Sequence, residues 1–444
     1  MRVLFMEADT EARWSVASLG PGYLAAWLRR AGHTVIFQRV RHDQPVEQVV
    51  EQARGARPDL IGFSLTTRQW HRVRALAAAL RPGLGVPIIA GGLHPTFAPE
   101  EVLAAPGFDF VCLGEGEAPL LELVEALERG EVPMGIPNIW VKGHIRPPVR
   151  PPFEPIDALP FMARDLLDEH HGVVHLTTQR GCPFPCTYCA ARMYNALYAE
   201  SGEDYGRRRS AQNVLDELFG LKRAGQLAYV IFLDDTFTIH HPWVRDFCEV
   251  YGRELKVPFS INARVETVNP TLLRQLADAG CKHVIYGVES GSYRIRKEIM
   301  RRPVKNERFV EVFDWTRDAG MMVTANYMLG LPDETRDDLE QTLALAEQLD
   351  AYDFGYFVFY PYPGTPLYQT CKERGLLPDD FLDRPANHRA SVLRLEHLTQ
   401  ADIGEFYDRF TALRERQHLK HQPGSNAFAR ARIREQIQLH ARHA

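Results

Sequence analysis

The stretch QRGCPFPCTYCAARMYN, residues 179–195, holds three of the chain's seven cysteines within eight positions. Cys182, Cys186 and Cys189 have the spacing C-x3-C-x2-C, whereas the other four cysteines are scattered singly along the sequence. Structural zinc requires four protein ligands, and neither a fourth cysteine nor a paired histidine follows at zinc-finger spacing. Three thiolates suit three irons of a [4Fe–4S] cluster and leave the fourth iron open to a small ligand. The spacing therefore predicts a metal centre that carries out chemistry.

The composition is typical of a folded protein without a membrane or nucleic-acid partner. The chain has 444 residues, of which 45% are hydrophobic and 25% charged, and this length favours two or three domains. No apolar run reaches the roughly 18 residues of a membrane span, and the N-terminus lacks the apolar core of a signal peptide. A net charge of −5 gives no general attraction to nucleic acid, and we expect the basic stretch 430–444 to form a solvated helix. We expect a cytoplasmic protein.

Residues 1–131 predict a doubly wound parallel sheet. Near-continuous apolar runs at 3–8, 34–40, 59–67, 87–93 and 109–117 alternate with helical patterns, which favours strands covered on both faces. In such a sheet the ligand crevice lies at the carboxyl ends of the strands. The residues at those ends are Glu7, Ser64, Thr66, Gly91, Gly92, His94, Gly114 and Glu115. Glycines there let a large planar ligand approach the backbone closely.

The proline-rich residues 132–170 predict a hairpin and an extended linker, after which the alternation of strands and helices resumes. Six β/α units over 171–375 predict a partial (β/α)6 barrel with its chemistry at the strand ends, and the cysteine stretch follows the first barrel strand. We expect residues 376–444 to form a helical region across the barrel mouth. Residues 193–209 predict an insertion that shapes the pocket, docks a reductant or forms an ordinary surface loop.

The cysteine spacing, with Tyr188 directly before the last cysteine and a six-unit β/α region around it, resembles the radical S-adenosylmethionine (SAM) superfamily. The resemblance implies that Cys182, Cys186 and Cys189 hold a [4Fe–4S] cluster, and that SAM bound to its open iron yields a 5′-deoxyadenosyl radical. It also implies SAM contacts from residues at the ends of later strands. These are Asp234 and Asp235 for the methionine amino group, Arg264 and Glu289 for the carboxylate and ribose, and Asn326 and Gly330 near the adenine. Each has a structural alternative as a helix cap or a turn residue.

The segments SLGPGYLAAWLRRAGHTV, DLIGFSLTT and AGGLHPTFAPEEVLAAPGFDFVCLGEGE resemble the cobalamin-binding domain found in many radical SAM enzymes. The resemblance implies that the strand-end residues of the first domain contact cobalamin. The D-x-H-x-x-G signature is absent, so His94 is not assigned as a cobalt ligand, and Arg68, Gln69 or Trp70 are the candidates to cover the lower face of the cobalamin. A relic domain that holds no cobalamin stays an alternative.

Together these features favour C-methylation of a metabolite or peptide, with a reductant such as flavodoxin or ferredoxin as partner. Radical dehydration, oxidative cyclisation or rearrangement without methyl transfer is a second hypothesis, in which Tyr327, Asn326 or Glu289 would move a proton. An iron–sulfur or cobalamin sensor is a third.

Overall fold

The computed structural model describes residues 1–10, 19–166, 172–199, 201–202, 205–384 and 389–421. It contains two six-stranded sheets and one two-stranded ribbon. Within the described residues, no helix has both the length and the apolarity that crossing a bilayer requires.

The first sheet has the strand order β2-β1-β3-β4-β5-β6. The elements of this part are β1 (Arg2–Ala8), α1 (Leu19–Arg30), β2 (Thr34–Val40), α2 (Val46–Ala56), β3 (Leu60–Ser64), α3 (Thr67–Leu84), β4 (Ile88–Gly91), α4 (Leu93–Phe97), α5 (Pro99–Ala104), β5 (Phe110–Cys112), α6 (Glu117–Glu128) and β6 (Ile139–Val141). Alternate residues of β1 enter different cores: Leu4 and Met6 join one, and Val3 and Phe5 join the other. Both faces of the sheet are therefore covered, as the apolar runs predicted.

The proline-rich segment differs from its prediction. Instead of forming a hairpin of its own, Ile139–Val141 pairs antiparallel with β5, with Phe110 opposite Val141. It thereby becomes the sixth strand of the first sheet and covers backbone groups of β5 that would otherwise lie at an open edge.

The second sheet is fully parallel and has the strand order β14-β13-β12-β11-β10-β7. The strands β8 and β9 form the separate antiparallel ribbon. In chain order, the elements of this part are β7 (Val173–Leu176), β8 (Gln179–Arg180), α7 (Ala191–Ala199), β9 (Arg207–Arg208), α8 (Ala211–Arg223), β10 (Tyr229–Phe232), α9 (His241–Val250), β11 (Phe259–Ala263), α10 (Pro270–Ala279), β12 (Cys281–Glu289), α11 (Asn306–Asp318), β13 (Met322–Leu329), α12 (Arg336–Leu349), β14 (Asp353–Val358), α13 (Pro366–Glu373) and α14 (Gln400–His421). The six β/α units of the predicted partial barrel are thus confirmed. The domain boundaries at 131, 170 and 375 stay a prediction.

The two faces of the barrel sheet differ in exposure. Along β13, Val323, Ala325 and Tyr327 are buried against the helices, whereas the alternate residues Thr324 and Asn326 are only partly buried. Because successive side chains of a strand point to opposite faces, the partly buried row lines an open lumen.

The C-terminal region divides into two parts, and only its helix lies elsewhere than predicted. Leu376, Phe381, Val392 and Leu393 pack in one cluster with Met300 and Leu331, beyond the ends of β12 and β13. Helix α14 packs on the outer, helix-covered side of β14: Tyr407 contacts Tyr356 with ring centroids 4.8 Å apart, and Arg414 pairs with Asp353 at 2.7 Å. This helix therefore serves as an outer wall and does not cross the barrel mouth. The basic stretch 430–444 lies outside the described residues.

Candidate active site

The cysteine stretch forms a loop that begins directly after β8 and precedes α7. Cys182 and Cys186 are buried and Cys189 is partly buried. Asn195 donates to the backbone oxygen of Cys182 at 2.9 Å, and the hydroxyl of Thr187 donates to the backbone oxygen of Ile299 at 2.6 Å. The loop is thus tied both to α7 and to the segment that follows β12, so the three thiols face one region.

The spread of the three sulfur atoms fits a cluster better than a single ion. Thiolates around one zinc at about 2.3 Å would lie within about 4 Å of one another. In the described part of the chain, three ligand atoms come within 4.8 Å of one another only at Asp333, Glu396 and His397, whose two carboxylates are already paired with Arg374. Burial, with a further contribution from Asp235, raises the pKa of the Cys189 thiol to about 12. Metal binding must therefore displace a proton from the Cys189 thiol.

Arg264 connects the cysteine loop to the end of β11. Its Nη1 donates to Cys186 Sγ at 3.1 Å, its Nη2 pairs with Glu266, and its guanidinium lies over the ring of Phe184, 3.8 Å from the centroid. Its Nε is buried and has no partner. A buried unpaired donor beside the cysteines fits an anionic group of a bound ligand, such as a carboxylate.

Glu289, the last residue of β12, is held in an unusual backbone conformation. Its φ is 70°, in the left-handed region that costs a non-glycine residue energy, and the pairing of β12 with β13 shifts register between Gly287 and Glu289. Burial raises the pKa of Glu289, against the opposing effect of Arg302, and the hydroxyl of Tyr188 donates to its carboxylate. A Cβ at Gly287 would lie 2.1 Å from Glu289 Oε1, so glycine is needed there for this carboxylate to occupy its place.

The two aspartates after β10 have different surroundings. Asp234 is buried, and its Oδ1 accepts from the backbone of Thr178 at 2.8 Å and of Gln179 at 2.9 Å, so it fixes the chain ahead of the cysteines. Asp235 is solvent-exposed and close enough to raise the pKa of both Cys182 and Cys189. Of the two, Asp235 is the one that a ligand at the cysteines can reach.

Asn326 and Gly330 lie along and just beyond β13. Asn326 faces the lumen, and its Oδ1 would be 2.7 Å from a Cβ at Gly355 on the neighbouring strand. Gly330 has a φ of 78°, and its N–H is bonded at 2.6 Å to the carboxylate of Glu334. Asn326 is therefore available to a ligand, whereas the N–H of Gly330 is used within its own turn.

A cavity of about 290 Å³ opens at the strand ends of the first sheet. It is walled by the sheet together with α1 and α6, and Ser64, Gly91, Gly92, Gly114 and Glu115 are among the predicted residues that line it. A Cβ at Gly91 would meet only Cys112 Cβ, at 3.6 Å, so a side chain at 91 would extend into free space. An apolar, glycine-lined slot fits a flat part of a large ligand.

Other predicted residues of the first domain lie away from this cavity. Thr66 caps α3, where its N–H bonds to the side chain of Gln69 at 2.8 Å. His94 is buried, with its ring 4.8 Å from that of Trp70, and burial lowers its pKa to about 3. Gln69 and Trp70 are buried as well, so of the three candidates for a lower-face contact only Arg68 keeps partial exposure.

Two family models match the two sheets. The model of the radical SAM superfamily matches residues 176–346, and that of the B12 binding domain matches residues 11–124. The chain is a radical SAM protein with a B12-binding domain. The superfamily implies a [4Fe–4S] cluster and SAM as cofactors, and the B12-binding domain implies cobalamin.

Known relatives cover most of the radical SAM protein. An uncharacterized methyltransferase of Pyrococcus horikoshii is 29% identical over 91% of this chain and 90% of its own length. The anaerobic magnesium-protoporphyrin IX monomethyl ester cyclase of Rubrivivax gelatinosus is 28% identical over 92% of this chain and 76% of its own. Among solved structures, the cobalamin-dependent SAM radical enzyme OxsB has a TM-score of 0.70 at 16% identity, covering 99% of this chain and 75% of that one, and shows the same fold.

The two domains of this radical SAM protein meet at charged residues whose pairing the sequence did not reveal. Glu115 accepts from Arg180 at 2.7 Å and also pairs with Arg207. The insertion 193–209 joins this contact, since the hydroxyl of Tyr198 accepts the N–H of Glu115 at 2.7 Å and its ring stacks on Tyr205 with centroids 4.9 Å apart. The described part of the insertion thus packs against the first domain. An acidic GEGE run and the arginines around the cysteines were the only sequence signal for this contact.

Proposed function

We propose that the protein is a cobalamin-dependent radical SAM methyltransferase that acts on an unactivated carbon of a small metabolite or peptide. The observation that carries the proposal is the wall shared by the two sites: Arg180 lines the cavity of the B12-binding domain and stands two residues ahead of Cys182. Two cofactors could thus serve one substrate held between the domains. The methyltransferase name of the Pyrococcus horikoshii relative supports the same reaction class.

In this proposal the barrel residues bind and orient, and the cofactors carry the chemistry. When bound, SAM at the cluster would supply a 5′-deoxyadenosyl radical for hydrogen abstraction, and methylcobalamin would supply the methyl group. Cys182, Cys186 and Cys189 hold the cluster, and the unpaired Nε of Arg264 binds the SAM carboxylate. Glu289 accepts from the ribose hydroxyls, Asp235 receives the amino group, and Asn326 lies near the adenine.

In the first domain, Ser64, Gly91, Gly92 and Gly114 provide room for cobalamin. Arg68 is the remaining candidate to cover its lower face, because Gln69 and Trp70 are packed into the core. Burial raises the pKa of Tyr362 in the second domain, and the charge of Arg68 opposes this rise. Arg68 therefore lies close to Tyr362, on the side of the first domain that faces the barrel. The stacked rings of Tyr194 and Tyr205, with centroids 5.0 Å apart, help to exclude water from the joint.

The test follows a labelled methyl group and needs no knowledge of the substrate. Protein purified anaerobically, with a reconstituted cluster and hydroxocobalamin, is incubated with reductant and SAM that carries a trideuterated methyl group. We expect stoichiometric cobalt, trideuteromethyl cobalamin and an equal amount of S-adenosylhomocysteine. A protein that cleaves SAM to 5′-deoxyadenosine but retains no cobalt and labels no cobalamin would contradict the proposal.

Oxidative cyclisation is the second candidate, because the cyclase relative is 28% identical to this chain, against 29% for the methyltransferase relative. In that reaction Asn326 or Glu289 would move a proton from the lumen. Tyr327 does not suit this role, since its side chain is buried on the helix side between Phe354 and Phe410. SAM cleavage without cobalamin methylation would favour the cyclase.

The partner in either reaction would be a small one-electron donor such as flavodoxin or ferredoxin, met in the cytoplasm. We expect the donor to dock outside the insertion 193–209, because this insertion packs between the two domains through Tyr194, Tyr198 and Tyr205.

A further inference from the structure

Arg180 contacts both candidate cofactor sites. It lines the cavity of the first domain, and it ends the two-residue strand β8, from which the cysteine loop continues. Its Nη1 donates to Glu115, in the loop that follows β5, and its Nη2 donates to Glu117, the first residue of α6. Arg180 thereby connects the two sites: its backbone leads into the cysteine loop, and its side chain reaches the wall of the cavity.

The pairing of β8 with β9 makes this contact necessary. Arg180 lies directly opposite Arg207 in the antiparallel ribbon, and like charges in that position repel each other. Glu115 accepts from both guanidinium groups, so the first domain supplies the charge that the ribbon lacks. We name these four residues, Glu115, Glu117, Arg180 and Arg207, the clasp.

The clasp is largely shielded from water. The side chains of Glu115 and Arg207 are 9% and 8% exposed, and those of Glu117 and Arg180 are 5% and 19% exposed. Burial alone would raise the pKa of Glu115, but Arg180 and Arg207 hold it at about 2. Opening the clasp would leave buried charges unpaired, so its closed state is strongly favoured when both loops are in place.

We propose that Arg180 is a positioning residue that couples the two cofactor sites. With the clasp closed, the loop that walls the cavity and the loop that carries the three cysteines are fixed to each other. Filling either site then favours the other, since a coupling free energy between two sites is reciprocal. The inference rests on the proposed function only in taking cobalamin and the cluster as the two ligands.

In this proposal the cluster acts through the cysteine loop. Residues 181–190 contain turns but no helix or strand, and hydrogen bonds from Asn195 to Cys182 and from Thr187 to Ile299 hold the loop at two points. Bonds from the three cysteines to a cluster would fix the rest of the loop, and the backbone of Arg180 with it, so that its side chain is held more firmly against Glu115 and Glu117. If Arg180 only held the two domains together, replacing it would change the cobalamin affinity by the same factor with and without the cluster.

The test is a cycle of four cobalamin titrations, followed anaerobically by visible absorbance with hydroxocobalamin as the probe. The full-length protein is titrated with a reconstituted cluster and as the cluster-free Cys186→Ala variant, and both titrations are repeated with Arg180→Gln. We expect the cluster to lower the cobalamin Kd about tenfold in the wild-type background, and less than about twofold with Arg180→Gln. An unchanged ratio with Arg180→Gln, or a ratio of one in the wild-type background, overturns the proposal.

Arg208→Gln is the matched control, because Arg208 is the next residue of β9 but donates to Gln179 within the barrel domain. It should keep the wild-type ratio. Should Arg180→Gln fail to fold, Arg180→Lys and Glu117→Gln test the same contact, since the first loses the two-pronged geometry and the second loses one partner. If methyl transfer is absent while the wild-type ratio is about tenfold and falls in Arg180→Gln, only the proposed function is wrong. If methyl transfer is normal while the wild-type ratio is one, only the coupling role of Arg180 is wrong.

Discussion

The strand ends of the barrel and those of the first domain are built differently. In the barrel, polar side chains at the ends of β11, β12 and β13 point to the lumen: Arg264 keeps an unpaired donor, and Glu289 is held by Tyr188. In the first domain, Thr66 caps a helix and Glu115 is bound in the clasp, so free space is what remains for a ligand. The barrel therefore offers charged and polar groups to a ligand, whereas the first domain offers mainly space.

The largest effect that this contrast predicts is the loss of the cluster in Cys186→Ala. Three thiolates bind three irons, and removing one leaves an incomplete ligand set. We expect iron content to fall from about four atoms per chain to near zero, and SAM cleavage to disappear with it. Cys248→Ala, a buried cysteine of the barrel core, should retain its iron and lose only stability. Full iron content in Cys186→Ala would remove the basis of the site.

The next prediction concerns a substitution that fills the cavity of the first domain and does not change the barrel. In Gly91→Leu the new Cβ meets only Cys112, so the side chain fits locally but occupies the cavity. We expect bound cobalt to fall to near zero, with SAM cleavage to 5′-deoxyadenosine retained. Gly55→Leu, on the exposed surface of α2 with nothing near its Cβ, is the control and should bind cobalt normally. Normal cobalt binding in Gly91→Leu would place the cobalamin elsewhere.

A smaller effect is expected when a barrel contact is displaced without changing its chemistry. Gly287→Ala keeps Glu289 but puts a methyl group where its Oε1 lies. Losing a hydrogen bond to a charged group costs about 1.5–3 kcal/mol, so we expect SAM affinity to fall by roughly tenfold to a hundredfold. Equilibrium dialysis of cluster-loaded protein measures this change. Glu298→Gln, an exposed carboxylate just beyond the same strand, should leave SAM affinity unchanged.

The sequence predicted more of the barrel than of the first domain, for a physical reason. A site made of side chains shows in residue types: the three cysteines stand out by their spacing, and the resemblance to the radical SAM superfamily then indicated Arg264 and Glu289 as candidates. A binding cavity can be recognised only in the folded structure, because its position depends on what each residue at the strand ends packs against. His94 looked available at a strand end, yet its ring is stacked on Trp70 in the core.

Contacts between distant segments were beyond the sequence as well. Arg180 and Glu115 are 65 residues apart, and no period or spacing connects them. The proline-rich segment likewise gave no sign that Ile139–Val141 would pair with β5, because a three-residue strand has too few residues to show a pattern. Alternation of apolar runs predicts elements, but it does not predict which of them meet.

The smallest expected effect comes from comparing two tyrosine hydroxyls, one that accepts a hydrogen bond between the domains and one that is buried in the barrel without a partner. In Tyr198→Phe the N–H of Glu115 loses its acceptor while the stacking on Tyr205 is kept, so we expect a loss of about 1 kcal/mol and a Tm lower by roughly 2 °C. Tyr327→Phe removes a hydroxyl that is buried without a partner, and it should leave stability unchanged or raise it. Calorimetry of the two variants side by side makes the comparison. Equal losses would mean that the joint between the domains contributes no more than an ordinary buried hydroxyl.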